Sequence, residues 1–268
     1  MSEPRTGLAA RGLTLGYGRG PVVDGLDLAI PPGRFTALLG PNGCGKSTAL
    51  RGLAGAQRAT AGQVLLDGRA IATLGSRELA RQLGVLTQSP AAPEGLTVDD
   101  LVRQGRYPHR SLFGGWSEAD SAALEEAYAL TGTGHLRARL LDTLSGGQRQ
   151  RAWIAMTLAQ QGRVLLLDEP TTYLDLAHQI EVLGLMHRLV AEGRATVVAV
   201  LHDLNQAARY ADHLVMMKAG RIRAEGPPSE VLTPEAVLDV FGVAVTIIPD
   251  PECGTPLCIP RAEGAFGR

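Results

Sequence analysis

The segment "RFTALLGPNGCGKSTALRGLAG", residues 34–55, constrains the fold more than any other part of the chain. A short apolar run, Phe35–Leu39, reads as a strand that feeds a glycine loop, and the residues from Lys46 onward have helical spacing. The loop, Gly40 to Thr48, fits the pattern G-x-x-x-x-G-K-[S/T] placed after a strand and before a helix. Gly40, Gly43 and Gly45 let consecutive backbone N–H groups converge on phosphate oxygens, and the following helix adds its positive end. Pro41, Asn42, Cys44 and Thr48 belong to the same cradle. Lys46 would neutralise the β- and γ-phosphates of a nucleotide, and Ser47 would offer its hydroxyl to Mg²⁺.

An ordinary glycine-rich turn is the bland alternative. Composition argues against it. Of 26 basic residues only two are lysines, Lys46 and Lys218, so the chain uses arginine nearly everywhere that a cation serves. A lysine kept at the one position that calls for a compact point charge points to function.

The bulk numbers bound the rest. With 268 residues, 45% hydrophobic and 20% charged, the chain has the composition of a globular protein able to bury a large core. A net charge of −1 without long basic runs does not favour non-specific nucleic-acid binding, although a local patch stays open. No apolar stretch approaches 18 residues and the first residues lack a hydrophobic signal segment, so the expectation is a cytosolic protein anchored, if at all, by something else. Three cysteines make no disulfide framework.

Two further runs, "VLLLDE" and "ATVVAVLH", are nearly continuous in apolar residues, as parallel strands covered on both faces are. The first delivers Asp168 and Glu169 to a strand end, where ligands collect in parallel α/β sheets. Asp168 would hold Mg²⁺, and Glu169 would orient the attacking water. A simple strand-ending turn is the alternative. Helix starts of the form [S/T]-x-x-acid stand at Thr97–Asp100 and Ser117–Asp120, so residues 89–160 read as a helical insertion. Helices are expected at about 175–192, 204–211 and 234–241, a hairpin over "HLVMMKAG" and "RIRAEG", and one short strand with a frayed end over 243–268.

"LSGGQ", Leu144 to Gln148, sits where a helix should begin. Ser145 can cap it, and Gly146 and Gly147 expose backbone N–H groups, making a second anion-binding helix start together with Gln148. One γ-phosphate cannot easily use both starts from one chain. Two chains packed head to tail could place each nucleotide between the phosphate loop of one and the "SGGQ" of the other.

With these motifs on one chain, the sequence resembles the ATP-binding subunit of ATP-binding cassette transporters over nearly its whole length. The resemblance implies an α/β fold: a P-loop NTPase core with a parallel sheet and flanking helices, an antiparallel β subdomain and an inserted helical subdomain. It also implies ATP and Mg²⁺ as cofactors and a single cassette domain over 1–268. Tyr17 matches the aromatic residue that stacks on adenine, and Gln88 in "VLTQ" the coupling glutamine that reaches the metal site. Asp175 matches the loop that crosses the dimer, and His202 in "VLHD" the histidine that meets the γ-phosphate. "GRYPHRSLFG" (105–114), "TTYLD" and "GTPLCIP" are similar to the ATPases of bacterial importers for ferric siderophores, haem and cobalamin. Such subunits form homodimers, bind integral-membrane permeases at the cytoplasmic face of the membrane and meet the substrate-binding protein only indirectly. A cassette ATPase acting on nucleic acid or ribosomes is the alternative; its usual tandem cassettes or long coiled-coil insertions are missing here. Cys44 is expected to have a lowered thiol pKa beside Lys46 and the loop N–H dipoles. Cys253 and Cys258 are expected to be free thiols.

Overall fold

The computed structural model describes residues 7–18, 20–88, 94–110, 115–172 and 174–261. Along the chain come β1 (Leu8–Gly16), β2 (Pro21–Ala29), β3 (Phe35–Leu39), α1 (Lys46–Leu53), β4 (Ala61–Leu66) and β5 (Arg69–Ala70). Then follow α2 (Ser76–Ala80), β6 (Leu83–Leu86), α3 (Val98–Gln104), α4 (Glu118–Thr131), α5 (Gly146–Ala159), β7 (Val164–Asp168) and α6 (Leu176–Ala191). The last third holds β8 (Thr196–Val200), α7 (Leu204–Tyr210), β9 (His213–Lys218), β10 (Arg221–Gly226), α8 (Pro228–Val231), α9 (Pro234–Phe241), β11 (Val245–Pro249) and β12 (Pro256–Pro260). These elements form two compact units, one of residues 1–72 with 198–268 and one of residues 73–197; the chain passes between them along β8.

In the first unit an antiparallel sheet runs in the order β2-β1-β4-β5. A second set of strands runs β10-β9-β3-β8, with β3 parallel to β9 and β9 antiparallel to β10. Every residue of β3 is buried, which is why its sequence is continuously apolar rather than alternating. The β9–β10 hairpin turns through Ala219 at φ 48° and Gly220 at φ 79°. Positive φ at both central residues is the turn whose twist suits antiparallel strands.

The expected single strand at the tail is instead a hairpin. β11 pairs antiparallel with β12 from Val245↔Pro260 to Pro249↔Pro256. Its four prolines stand in the strand ends and the turn side of the ladder, where a missing N–H is tolerated, so a Pro-rich stretch still makes a two-stranded sheet. Residues 262–268, the expected frayed end, lie outside the described residues, as do 111–114 of the "GRYPHRSLFG" stretch.

In the second unit β6 and β7 pair in parallel, Leu83 opposite Val164 through Leu86 opposite Leu167, and β7 is buried at all five positions. The helical insertion carries the expected helix starts. Thr97 accepts from Asp100 N, Ser117 accepts from Asp120 N, and both close as reciprocal capping boxes. The unit is broader than the insertion expected at 89–160, because it also holds α2, β6, β7 and α6.

One ion pair, invisible in the sequence, ties this unit together. Arg106 Nε donates to Asp120 Oδ1 at 2.8 Å, and Arg106 also donates to the Ala159 carbonyl and to Gln161 Oε1. Both side chains are nearly inaccessible, at 4% and 6% exposure. Burial alone would raise the Asp120 carboxyl; hydrogen bonds from Ser117 and Arg106 and the guanidinium charge outweigh it and hold the group down to about 2. A folded-state pKa below the ordinary 3.8 contributes stability above pH 4 that is lost as pH falls toward 2. Replacing Asp120 by Ala leaves a buried guanidinium unpaired, so urea unfolding at neutral pH should show a loss of about 3–5 kcal/mol. That deficit should shrink when the pH is taken from about 5 to 2, and an equal deficit at both ends would contradict the pairing.

Candidate functional site

The residues singled out above fall into two groups, one in each unit. Tyr17, Gly40 to Thr48 and His202 belong to the first; Gln88, Ser145 to Gln148, Asp168, Glu169 and Asp175 belong to the second.

In the first unit β3 ends at Leu39 and the chain enters the cradle. Gly40 has φ 149°, and a Cβ there would lie 2.2 Å from the Met217 carbonyl oxygen, so only glycine fits against β9. The Gly220 N–H donates to the Cys44 carbonyl at 2.8 Å, which fixes the far side of the loop to the β9–β10 turn. Gly45, at φ 108°, is the N-cap of α1 and makes no side-chain cap, leaving the first N–H groups of that helix to an outside acceptor. The Lys46 ammonium donates to the carbonyls of Gly40 and Pro41 at 2.8 and 3.1 Å, and the residue is 6% exposed. The loop thus gathers a cation, several N–H groups and a helix start around one small volume, the chemistry of an anion site. Ser47 is half-buried and Thr48 buried in the first turn of α1; Asn42 and Gly43 are exposed at the loop's outer edge.

Tyr17 is 60% exposed. His202 is exposed in the three residues between β8 and α7. The residue before it is held: Leu201 N donates to the Leu38 carbonyl at 3.1 Å, on the strand that leads into the cradle.

Cys44 departs from the sequence-based expectation. It is 5% exposed, and its thiol is pushed up, not down, because burial outweighs the opposing Lys46 charge and the backbone hydrogen bonds.

In the second unit β7 carries Asp168 to its last position, 1% exposed. Glu169 follows at φ 53°, a left-handed conformation that costs a non-glycine residue about 1–3 kcal/mol and that persists where the surroundings demand it. The demand is visible. Gln88 Nε2 donates to Glu169 Oε2 at 2.7 Å, and Thr172 Oγ1 donates to the same oxygen at 3.0 Å. Gln88 therefore turns its amide nitrogen to Glu169 and leaves Oε1 as its second polar atom. Thr172 was not singled out by sequence reasoning. A hydroxyl three residues after an acid at a strand end is a signal too common to use alone.

Ser145 caps α5: its Oγ accepts from Gln148 N at 3.2 Å, while Gln148 Oε1 accepts from Ser145 N at 3.2 Å. This box satisfies the third helix N–H and leaves those of Gly146 and Gly147, the first two helical residues, for an acceptor beyond the helix. The same helix reaches two other parts of the site. Gln150 Nε2 donates to the Pro170 carbonyl at 3.0 Å, next to Glu169. Gly147 faces the ring of His178, which bonds through Nδ1 to Asp175 Oδ1 at 2.6 Å. Asp175 is the N-cap of α6, accepting from His178 N at 2.9 Å. Neither Gln150 nor His178 was expected from the sequence, because their partners lie outside any local motif.

Within the second unit Asp168 and Gln88 carry carboxylate and amide oxygens, and within the first Ser47 carries a hydroxyl; each is a hard donor of the kind that suits Mg²⁺ and not a soft or thiolate-bound metal. Among the described residues no cluster of three or more His, Cys, Asp or Glu forms a metal site of its own. The thiol geometry gives a direct test. Iodoacetamide at pH 7.5 should modify exposed Cys253 at least about tenfold faster than Cys44; mass spectrometry showing equal rates would overturn the burial argument.

Comparison with known proteins identifies the family. The sequence model of the family described as "ABC transporter" matches residues 23–172. The chain is 50% identical over 265 residues to the ferric enterobactin transport ATP-binding protein FepC of Escherichia coli (strain K12), covering 99% of this chain and 98% of that protein. Among solved structures, an ABC transporter in an inward-facing conformation superimposes with a TM-score of 0.84 at 28% identity, over 98% of this chain and 100% of that one. A dimeric bacterial ABC transporter cassette superimposes with a TM-score of 0.73 at 27% identity, over 82% of this chain and 98% of that one. No helix among the described residues is long and apolar enough to cross a membrane. The chain belongs to the ABC transporter family, as one of its ATP-binding, ATP-hydrolysing subunits.

Proposed function

We propose that this subunit powers import of a ferric siderophore, working as a head-to-tail homodimer that clasps two ATP molecules. The observation that carries the dimer is the start of α5. Its capping box consumes the Ser145 hydroxyl and the Gln148 N–H and leaves two glycine N–H groups pointing out of the helix, a site built for an anion. The loop at Gly40 to Thr48 already supplies a full cradle of its own, so the second start is best used on a phosphate held by another copy. The dimeric cassette among the structural neighbours supports the same reading.

In this scheme Tyr17 stacks on the adenine. Lys46 and the N–H groups of Gly40 to Thr48 hold the β- and γ-phosphates, and Ser145, Gly146, Gly147 and Gln148 of the second copy close on the γ-phosphate. Ser47, Gln88 and Asp168 would hold Mg²⁺ through oxygen, and the ion would supply positive charge against that developing on the phosphates. Glu169, fixed by Gln88 and Thr172, orients and deprotonates the attacking water. His202 donates to the γ-phosphate, and Asp175 joins the surface between copies. Closure excludes water from both sites only when ATP bridges them; loss of the γ-phosphate removes the bridge and the dimer reopens. Gln88, bonded to Glu169 and standing at the entry to the helical insertion, would pass this change toward a permease bound at the cytoplasmic face of the membrane. The "GRYPHR" portion of the insertion is the proposed contact, with Tyr107 61% exposed.

Three substitutions separate the steps. Lys46→Ala should lower MgATP affinity and turnover by at least about 100-fold. Glu169→Gln should cut hydrolysis by about 10²–10³-fold while ATP still binds, giving a dimer on gel filtration with MgATP; a persistent monomer would count against the clasp. Ser145→Arg should stop hydrolysis with nucleotide affinity changed less than about threefold, whereas equal loss of both would place residues 145–148 at the chain's own nucleotide.

Cargo is tested in cells. A strain lacking this subunit should lose uptake of ⁵⁵Fe-enterobactin and keep uptake of haem and cobalamin. Retained iron–siderophore uptake with loss of either other cargo would reassign the importer.

A further inference from the structure

The C-terminal hairpin β11–β12 has no part in the scheme above, yet two side chains of α7 bond to it. Asn205, on the first turn of α7, makes two hydrogen bonds to one residue of β12: its Nδ2 donates to the Cys258 carbonyl at 3.2 Å, and its Oδ1 accepts from Cys258 N at 2.7 Å. An amide used in this way imitates a neighbouring strand and fixes both distance and rotation. One helical turn on, Arg209 donates to Asp250 Oδ2 at 2.6 Å, and the Asp250 side chain is only 6% exposed. Asp250 is itself rigid. Its Oδ1 accepts from Glu252 N, and its backbone exchanges bonds with Thr255 and Gly254 across the hairpin turn.

α7 begins two residues after His202. On the other side of His202, Leu201 N is bonded to the Leu38 carbonyl of β3, the strand that runs into Gly40. Asp203, between His202 and the helix, caps α7 by accepting from Gln206 N at 2.8 Å. His202 therefore stands on a three-residue bridge, with one end fixed to the strand of the phosphate cradle and the other to a helix clasped by the hairpin.

We propose that Asn205 and Arg209 are positioning residues for hydrolysis: by clasping α7 to the β11–β12 hairpin they set where the His202 side chain meets the terminal phosphate. This rests on the role given to His202 above and extends it to residues and a segment without an assigned part in the reaction. Three features make the clasp more than general packing. The helix has seven residues and is too short to hold its own direction. The bonds are a pair at Asn205 and a third at Arg209 one turn on, which restrains tilt as well as distance. Cys258 lies close enough to Asp203 for that carboxylate, after burial, to push its thiol up, so the hairpin also reaches the residue adjacent to His202. Catalytic groups must be held within about half an ångström of the productive position, and an error of about 1 Å lowers the rate by about 100-fold.

The test uses the full chain carrying Asn205→Ala or Arg209→Met, each alone and combined with His202→Ala. Steady-state MgATP turnover is measured, and the His202 ring is followed by ¹H–¹³C NMR. The clasp predicts that kcat falls about 5- to 30-fold in either variant while KM for ATP stays within about twofold. Arg209→Lys should restore most of the loss, and neither substitution should lower turnover further once His202 is Ala. Unchanged kcat, a rise in KM in place of a fall in kcat, or losses that multiply with that of His202→Ala would overturn the proposal. Should Asn205→Ala fail to fold, Arg209→Met, at a side chain 39% exposed, decides by the same criteria. Should His202→Ala turn over at the unsubstituted rate, it is the role of His202 that fails. The NMR then judges the clasp separately: a shifted or broadened His202 resonance in Asn205→Ala supports it, and an unmoved one overturns it.

Discussion

The attraction between phosphate and unsatisfied backbone N–H groups at helix starts is the interaction on which the rest of this molecule depends. Two helices begin in ways that leave such groups unused, and they do so by different devices. α1 starts at a left-handed Gly45 with no cap, behind a loop whose first glycine touches the Met217 carbonyl. α5 starts at a serine that caps its own third N–H and leaves the first two exposed on glycines. In the proposed scheme the first geometry surrounds a phosphate chain and the second touches only its end, so that one start would hold the nucleotide and the other would sense the terminal phosphoryl.

Around these starts the fold places acids and their supports by burial. β3 and β7 are apolar at nearly every position because both faces are covered, and each ends where chemistry begins, at Gly40 and at Asp168–Glu169. The strained backbone of Glu169 is held by Gln88 from the end of β6 and Thr172 from the turn that follows. In the proposed mechanism, removing either support would let the carboxylate turn away from the attacking water. α5 links these parts within one unit, through Gln150 to Pro170 and through Gly147 to His178 and Asp175. In the proposed head-to-tail pair a chain's own glutamate and its own "SGGQ" serve different nucleotides, so these contacts would join the two sites.

Much of this was legible in the sequence because it is local. The phosphate loop, the capping boxes at Thr97 and Ser117, the Ser145 cap and the apolar strands are each written in ten residues or fewer, and turn and cap chemistry fixes their backbone directly. What escaped was long-range or collective. Nothing near Arg106 announces that it will be buried on Asp120, and nothing near Asn205 announces Cys258, 53 residues away. The tail's prolines excluded a helix but did not reveal that they would fall at hairpin ends. For Cys44, local charge suggested a depressed thiol pKa; the burial that reverses it comes from packing of the loop against β9 and its turn, which no local pattern encodes. In the proposed importer the transported molecule meets other subunits, so the cargo leaves no mark in this chain's own chemistry.

The central claim is that each terminal phosphoryl is held by two polypeptides. A structure of the Glu169→Gln chain with MgATP measures this most directly. The account predicts N–H groups of Gly146 and Gly147 from one copy within hydrogen-bond distance of the γ-phosphate bound at Lys46 of the other. A γ-phosphate contacted only by residues of its own chain, with Ser145 to Gln148 facing solvent in every copy, would contradict it.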